Sequence, residues 1–260
     1  MKMVFNKYEG AGNDFIIVKN SPSIISHDDA LIIRLLCDRH FGIGADGLML
    51  IEECEGYDFR MLYFNADGSP GAMCGNGARC SSHFVMRHIT GFRDITFMAG
   101  DGPHTARPAG DGLTEISICD VNGIRQTPDG ILINTGVPPL VVFTDDNSSA
   151  DMVSFGRALR WSPAYAPDGV NVNLVSIKDG RLRVRTYERG VEDETLACGT
   201  GITASAIAAV YTGKIVTTPT EVQARGGIVS VRFNLTGERA RDIFLTGPAT
   251  FVFSGEKEIK

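Results

Sequence analysis

One short motif occurs twice in this chain, and its two cysteines lie 124 residues apart. Residues 73–77 read MCGNG and residues 197–201 read ACGTG, so in each copy a cysteine precedes Gly-x-Gly. A run of small, helix-compatible residues follows, over 78–85 in the first copy and 202–210 in the second. The period is too long for a solenoid of small units. The repeat therefore predicts that a whole domain has been duplicated.

The similarity between the two halves extends beyond this motif. A strand-like segment enters each copy, at 59–64 and 182–187, and another strand and a glycine turn follow each helix, around 95–98 and 221–224. The alternative to duplication is a chance similarity of two glycine-rich loops. The offset that relates the two cysteines also aligns Tyr63 with Tyr187, Asn65 with Arg189, and Ser81 with Ser205.

The composition is that of a soluble globular protein with material for one large or two modest domains. Of the 260 residues, 43% are hydrophobic and 22% are charged. A net charge of −6 without a lysine or arginine cluster argues against a nucleic-acid surface. The first residues do not resemble a signal peptide, and no apolar run approaches the roughly 20 residues of a membrane span. We therefore expect a cytoplasmic protein.

Six cysteines in such a chain indicate reduced thiols rather than a disulfide framework. We interpret Cys37, Cys54 and Cys119 as structural residues, because they fall in an apolar helix or at strand ends. Cys80 follows Cys74 in the same predicted helix, and we expect it to be packed rather than reactive.

A second glycine pattern, GIGADG at 42–47, matches the dinucleotide-binding signature G-x-G-x-x-G. That signature must follow a strand and open a helix. Here it follows a helix predicted at 29–40, with Asp28 as its cap, and precedes a strand predicted at 48–52. We interpret it as a turn and not as a nucleotide site.

The remaining elements indicate an α+β protein of two pseudo-symmetric lobes, each a mostly antiparallel sheet around a central helix, with the active site between the lobes. We predict strands at 4–7, 15–18, 131–133, 140–143 and 170–177, a helix at 149–160, a weak strand within 100–112, and the crossing between domains at 120–130.

The two cysteines suggest a chemistry. A cysteine that enters a helix N-terminus has a lowered thiol pKa, and the free N–H groups beside it bind anions. Two such sites would suit moving a proton from one face of a carbon to the other, next to a carboxylate. A dithiol redox protein is the alternative from another class, but C-x-x-C is missing. A metal site of Cys74, Cys80 and His83 has no standard spacing.

Five motifs at compatible spacing resemble the diaminopimelate epimerase family over essentially the whole chain. They are GAGNDF at 10–15, FNADG at 64–68, CGNGARC at 74–80, YERG at 187–190 and ACGTG at 197–201. The resemblance implies a cofactor-independent isomerase of lysine and peptidoglycan biosynthesis, which interconverts LL- and meso-diaminopimelate. It also implies that the C-terminal strand, from Ala249, returns to the first lobe. The implied domains are 1–120 with 249–260, and 121–248, and the protein would be a homodimer.

The resemblance also implies the residues of the site. Cys74 and Cys198 match the two catalytic cysteines, which would share one proton as thiolate and thiol. The residues whose helix amides would hold the carboxylate at the reacting carbon are Gly75, Asn76, Gly199 and Thr200. The polar residues that would position the substrate are Asn13, Asn65, Asn171, Glu188 and Arg189. Without the resemblance, Asn13 and Asn65 read as turn residues and Arg189 as part of a surface turn.

The chain departs from the family pattern in one segment. Where the family usually has Gly-Asn-Pro-His, residues 136–139 read GVPP. Val137 cannot hydrogen-bond through its side chain, and Pro139 cannot titrate or donate a backbone N–H. A related cofactor-independent racemase, for example one acting on histidine, is therefore the second hypothesis. Gly47 stands where some members carry glutamine.

Overall fold

The computed structural model describes residues 2–110, 112–136 and 138–259. These residues form two compact units, one of residues 1–116 with 247–260 and the other of residues 117–246. The boundaries predicted from the sequence lie two to four residues further along the chain. Among the described residues, no helix is long and apolar enough to cross a membrane.

The strands are numbered in chain order. They are β1 Lys2–Gly10, β2 Asn13–Lys19, β3 Gly47–Cys54, β4 Tyr57–Asn65, β5 Pro70–Gly71, β6 Ile95–Ala99, β7 Gly102–Pro108, β8 Leu113–Ile118, β9 Ile124–Thr127, β10 Gly130–Ile133, β11 Pro139–Phe143, β12 Asn171–Lys178, β13 Arg181–Glu188, β14 Asp193–Thr195, β15 Thr220–Ala224, β16 Gly227–Thr236, β17 Arg239–Pro248 and β18 Thr250–Glu258. The α-helices are α1 Ala30–Cys37, α2 Gly75–Val85, α3 Met152–Arg160 and α4 Gly199–Tyr211.

In the first unit, a mostly antiparallel sheet packs around α2. Strand β1 pairs with β2 and with β18, and β3 pairs with β4, all antiparallel, whereas β2–β3 and β4–β6 are parallel. Every residue of α2 except His83 is buried. The small side chains of α2 allow this close packing, and larger ones such as Phe84 contact the ring of Tyr8 on β1.

The second unit repeats this plan around α4. Strands β11 and β12 are parallel, β12 and β13 are antiparallel, and β13 pairs in parallel with β15, the strand after the helix. Helix α4 consists of small and apolar residues, and ten of its residues, from Gly199 to Ala209, are buried. Each unit therefore surrounds a helix that begins immediately after a cysteine.

The strand registers agree with the duplication predicted from the sequence. Phe15 on β2 lies opposite Gly47 on β3, and Pro139 on β11 lies opposite Asn171 on β12. Each pair maps onto the other at the same offset that relates Cys74 to Cys198. Two pseudo-symmetric lobes of an α+β fold are thus confirmed.

Helix α1 is shorter than the helix predicted at 29–40. Asp29, not Asp28, is its N-cap and accepts the Ile32 N–H at 3.1 Å. The helix ends at Cys37 because the Asp38 carboxylate accepts the backbone N–H groups of His40 and Phe41, each at 2.7 Å. These local hydrogen bonds replace the continuing helix.

Three other predicted elements differ from the structure. The segment 120–130 is not a bare crossing, because it contains β9, which pairs with β10. The predicted helix at 149–160 begins only at Met152, after the Asp151 N-cap accepts the Ser154 N–H. The weak strand within 100–112 is a seven-residue strand, β7, in which Ala106 pairs with Ile95 of β6.

Candidate active site

The first half of the candidate site is the N-terminus of α2, where Cys74 is the N-cap residue. Its backbone is extended (φ −137°, ψ 113°), and its Sγ accepts the Gly77 N–H at 3.5 Å. The first N–H groups of a helix lack acceptors within the helix, so the amides of Gly75 and Asn76 lie where such groups can bind an anion. Cys74 itself is half-buried.

Asn13, at the start of β2, lies against this cysteine. Its Oδ1 is 3.9 Å from the Cys74 Sγ and 3.4 Å from the Asn76 Nδ2. Its Nδ2 donates to the Asp46 carboxylate at 2.6 Å. Asn13 therefore contacts the Cys74 thiol, and it does not serve only the turn that precedes β2.

An ion-pair cluster stands behind Asn13. The Lys7 Nζ lies 2.7 Å from the Asp14 carboxylate, and the Arg39 guanidinium binds both Asp14 and Asp46. Although burial alone would raise the pKa of Asp14, hydrogen bonds from Arg39 and Lys7 hold it far below its usual range. The cluster fixes the loop that carries Asp46.

This cluster supports a prediction on stability. A carboxylate with a depressed folded-state pKa stabilises the fold above its unfolded pKa of about 3.9, and this contribution declines as the pH falls below that value. Replacing Asp14 by Asn should lower the free energy of unfolding by about 2 kcal/mol at neutral pH, because nearly buried Lys7 loses its counter-charge. The difference from the unmodified protein should shrink below about pH 4. Urea unfolding at several pH values measures this.

The control for that prediction is Asp28→Asn, which removes the same charge from an exposed position. Its free energy of unfolding should change by less than about 0.5 kcal/mol at every pH. An Asp14→Asn variant that is no less stable than this control at neutral pH would show that the cluster does not stabilise the fold.

Arg79 lies one turn into α2 and is fully buried. Its guanidinium donates to the Asn76 Oδ1 at 3.0 Å, the Gly75 carbonyl at 3.4 Å and the Pro248 carbonyl at 3.3 Å. No carboxylate within salt-bridge distance of it is found among the described residues. Burial lowers the pKa of this group, and it lies in the first turns of α2, close to the start of the helix.

Asn65 ends β4 and belongs to the Asp-Gly loop that follows. Its Nδ2 donates to the Ser69 Oγ at 3.0 Å, and its Oδ1 accepts the Tyr63 hydroxyl at 2.6 Å. Its backbone N–H and carbonyl close the loop through Ser69 and Gly68. In this structure Asn65 therefore makes the contacts of a turn residue, and its side chain is half-buried.

The second half of the candidate site is the N-terminus of α4, where Cys198 is the N-cap residue and is buried. Its Sγ lies 3.2 Å from the Thr200 hydroxyl and accepts the Asn171 Nδ2 at 3.8 Å. The Thr200 carbonyl in turn accepts the Thr135 hydroxyl at 3.1 Å. Gly199 is buried and places its amide at the helix start.

The end of β13 brings Glu188 and Arg189 to this half. The Arg189 N–H donates to the Asn171 Oδ1 at 2.8 Å, and its guanidinium donates to the Asp168 carbonyl at 3.3 Å. Both side chains are half-buried. The structure thus brings Asn171, Arg189 and Cys198 together.

The other cysteines differ in their surroundings. Cys37 and Cys80 are buried, and burial raises the pKa of Cys37 to about 12 and that of Cys80 further above its usual range. Cys54 is half-buried at the end of β3. The interpretation of Cys119 as a structural residue that fills the interior is wrong, because its side chain is exposed.

Sequence reasoning missed two residues of the first half, Asp46 and Arg79. Arg79 lies inside the CGNGARC motif. An arginine among small residues of a buried helix is unusual, and this could have identified it from the sequence. Asp46 lies in the glycine turn at 42–47, 33 positions from its partner Asn13. That long-range contact leaves no periodic pattern in the sequence.

The fold and the repeated cysteine define a class of two-lobed α+β proteins in which each lobe surrounds a helix that begins after a cysteine. Among solved structures, the chain is similar to a PhzF-family phenazine biosynthesis protein from Bacillus anthracis, with a TM-score of 0.75 and 14% identity over 100% of both chains. It is also similar to a hydroxyproline epimerase from Agrobacterium vitis, with a TM-score of 0.69 and 14% identity over 98% of this chain and 92% of that one. At this identity the likeness shows the fold alone.

Comparison with known sequences identifies the family to which the chain belongs within this class. The profile described as diaminopimelate epimerase matches residues 5–117 and 131–252. The diaminopimelate epimerase of Flavobacterium psychrophilum is 41% identical over 96% of this chain and 98% of its own length. That of Chlorobaculum tepidum is 38% identical over 95% of this chain and 98% of its own length. The chain belongs to the diaminopimelate epimerase family, which confirms the resemblance read from the motifs.

Proposed function

We propose that this protein interconverts LL- and meso-diaminopimelate without a cofactor, by proton transfer at the α-carbon. The observation that carries the proposal is the repeated arrangement of a cysteine at the N-terminus of a buried helix, with an asparagine against each sulfur. That arrangement occurs in a chain of the diaminopimelate epimerase family. Its two cysteines are Cys74 and Cys198.

The proposed reaction needs one base and one acid. A cysteine thiolate takes the proton from the α-carbon, and the other cysteine, as a thiol, gives its proton to the opposite face of the carbanion. The centre is inverted, and the two sulfurs exchange their protonation states. Cysteine suits both roles because its pKa can be set near the working pH.

The carbanion needs electrostatic stabilisation because it forms beside a carboxylate. We assign this task to the amides at the two helix starts, those of Gly75 and Asn76 in α2 and of Gly199 and Thr200 in α4. Fixed N–H dipoles stabilise developing charge without reorganising during the reaction. The buried charge of Arg79 adds to the positive potential at α2.

We assign the recognition of the substrate's far amino-acid group to Asn65, Asn171, Glu188 and Arg189. A cation, an anion and amides suit an ammonium and a carboxylate at that end. A plain aliphatic amino acid would leave these groups without partners, and that penalty reaches several kcal/mol. This favours diaminopimelate over small substrates.

The segment 136–139 supports a second candidate, a racemase for another amino acid such as histidine. Val137 lies outside the described residues, and the repeat offset aligns it with Asn13 of the first half. Pro139 is buried at the start of β11, opposite Asn171. The side chains at 137 and 139 can offer no hydrogen bond to a substrate.

We also propose that the enzyme works in the cytoplasm as a homodimer and requires neither pyridoxal phosphate nor metal. Six free cysteines support a reducing compartment. The dimer is carried over from the family resemblance alone. Activity that persists after exhaustive dialysis against chelator, with no visible absorption band, would support the cofactor proposal.

A substrate panel tests the proposed function. The purified protein should show a higher kcat/KM for LL- and meso-diaminopimelate than for histidine, lysine, glutamate or proline, by about a hundredfold or more, because several polar contacts are lost with the others. Proton exchange at the α-carbon in heavy water, followed by mass spectrometry, measures every substrate in the same way. A higher value for histidine would favour the second candidate.

A further inference from the structure

Each of the two cysteines is contacted by an asparagine, but the two asparagines face the sulfur with opposite ends of the amide group. At Cys74 the nearest amide atom of Asn13 is its oxygen, which accepts a hydrogen bond from the thiol. At Cys198 the nearest amide atom of Asn171 is its nitrogen, which donates to the sulfur. A protonated thiol can donate to an acceptor, whereas a thiolate can only accept.

The orientation of Asn13 follows from the chemistry of its partners. Its Nδ2 must face Asp46, because an ionised carboxylate only accepts. Its Oδ1 also accepts the Nδ2 of Asn76, and the Asn76 Oδ1 accepts the Arg79 guanidinium, which only donates. These hydrogen bonds form a series in which each group donates to the next, from Arg79 through Asn76 and Asn13 to Asp46. Reversing one amide would break bonds at both of its ends.

The orientation of Asn171 is fixed in the opposite sense. Its Oδ1 accepts the backbone N–H of Arg189 at 2.8 Å, so its Nδ2 faces Cys198. The repeat offset aligns Asp46 with Val170 and Arg79 with Thr203. The second half therefore lacks the carboxylate and the guanidinium at the two ends of this hydrogen-bond series. The difference between the halves therefore lies in the partners of the two asparagines, which are Asp46 and Asn76 in the first half and the backbone N–H of Arg189 in the second.

We propose that Asp46 is a positioning residue, which acts through Asn13 to keep the resting proton on Cys74, while Asn171 stabilises Cys198 as the thiolate. The proposal rests on the proposed function, because the two cysteines must work as an acid and a base. In the resting enzyme, Cys198 is then the base and Cys74 the acid, so the enzyme is poised for the stereoisomer whose α-hydrogen faces Cys198.

The charged groups around each sulfur are consistent with this assignment. Near Cys74, the positive charge of Arg79 on α2 favours a thiolate, but its donors are committed to Asn76 and two carbonyls. Glu9 on β1 interacts electrostatically with Arg79, and the Asp46 carboxylate accepts from Asn13, so these two anions offset the positive charge of Arg79. Cys80 remains a neutral thiol.

Near Cys198, α4 itself contributes no charged side chain. The neighbouring end of β13 contributes two charged residues, Glu188 and Arg189. The Thr200 hydroxyl, 3.2 Å from the sulfur, can donate to a thiolate and thereby adds a second donor there.

The test measures the ionisation of each thiol separately in the free enzyme. Iodoacetamide alkylation is followed from about pH 5 to about pH 10, and mass spectrometry quantifies the peptides of Cys74 and Cys198, since only the thiolate reacts. We expect the midpoint for Cys198 to lie below that for Cys74. The midpoint, unlike the rate, does not depend on how exposed each sulfur is.

Matched variants should move the two midpoints in opposite directions. Asn13→Ala removes an acceptor and should lower the Cys74 midpoint by about half a pH unit, whereas Asn171→Ala removes a donor and should raise the Cys198 midpoint by a similar amount. Shifts in the same direction, or a lower midpoint for Cys74 in the unmodified protein, would overturn the assignment.

A double-mutant cycle tests whether Asp46 acts through Asn13. Asp46→Asn should also lower the Cys74 midpoint, but it should add little once Asn13 is alanine. A full additional shift in the double variant would show that Asp46 acts through its charge alone and would remove it as a positioning residue. Turnover of diaminopimelate, measured in parallel, tests the proposed function separately, because alkylation of the free enzyme requires no substrate.

Discussion

Replacing Cys74 by alanine should reduce epimerisation of diaminopimelate by about a thousandfold or more, and so should replacing Cys198. Each substitution removes the only proton carrier proposed for one face of the α-carbon, and positioned acid–base groups commonly contribute 10²–10⁴-fold. Incorporation of deuterium at the α-carbon from heavy water, together with the stereochemistry of the product, measures both proton transfer and inversion. The loss should appear in kcat, because both helix starts and their amides remain.

The control for these variants is Cys119→Ser. This cysteine is exposed, so its replacement tests whether loss of any thiol impairs the enzyme. It should retain nearly full activity. If either alanine variant at Cys74 or Cys198 inverts the substrate at a rate near that of the unmodified protein, the two-thiol mechanism is wrong.

The sequence predicts the duplicated framework well because its signals are local and repeated. Each cysteine stands beside Gly-x-Gly, and each is followed by a helix of small residues, so the same physical rule applies twice. The registers of β2 with β3 and of β11 with β12 then repeat at the same offset. Both halves of the candidate site follow from that repeat.

The sequence predicts the ends of elements less well because side chains decide them. Helix α1 has an apolar pattern that could continue to His40, but the Asp38 carboxylate binds the next two backbone N–H groups and ends it. Likewise, β9 forms in a segment of turn-forming residues because β10 offers a partner for its backbone. Propensity alone does not contain those contacts.

The sequence fails to reveal the differences between the two halves of the site. Asn13 and Asn171 both match substrate-positioning residues, yet one faces its cysteine with oxygen and the other with nitrogen. The cause is long-range in the first half, where Asp46 approaches across 33 positions. In the second half the cause is a backbone N–H, whose position cannot be read from the type of the residue that carries it.

The second glycine of each repeated motif gives a prediction of comparable size to the cysteine variants. A Cβ on Gly201 would lie 2.1 Å from the Oδ1 of Asn173, and one on Gly77 would lie 1.8 Å from the Cε of Met49. Asn173 is fully buried, and its side chain bonds to the Thr186 hydroxyl at 2.8 Å and the Leu140 carbonyl at 3.3 Å. It cannot move without breaking buried hydrogen bonds.

Gly201→Ala should therefore lower the free energy of unfolding by about 4 kcal/mol, which combines overpacking with the loss of a buried hydrogen bond. Gly77→Ala should cost only about 1–2 kcal/mol, since the end of a methionine side chain can rotate away. Urea unfolding of both variants measures the difference, and the activity of the folded fraction shows whether α4 still presents Cys198. Equal losses in the two variants would mean that the neighbour of each glycine does not determine the outcome. A larger loss for Gly201→Ala would show that the repeated motif is tied to the fold more rigidly in the second half, through Asn173.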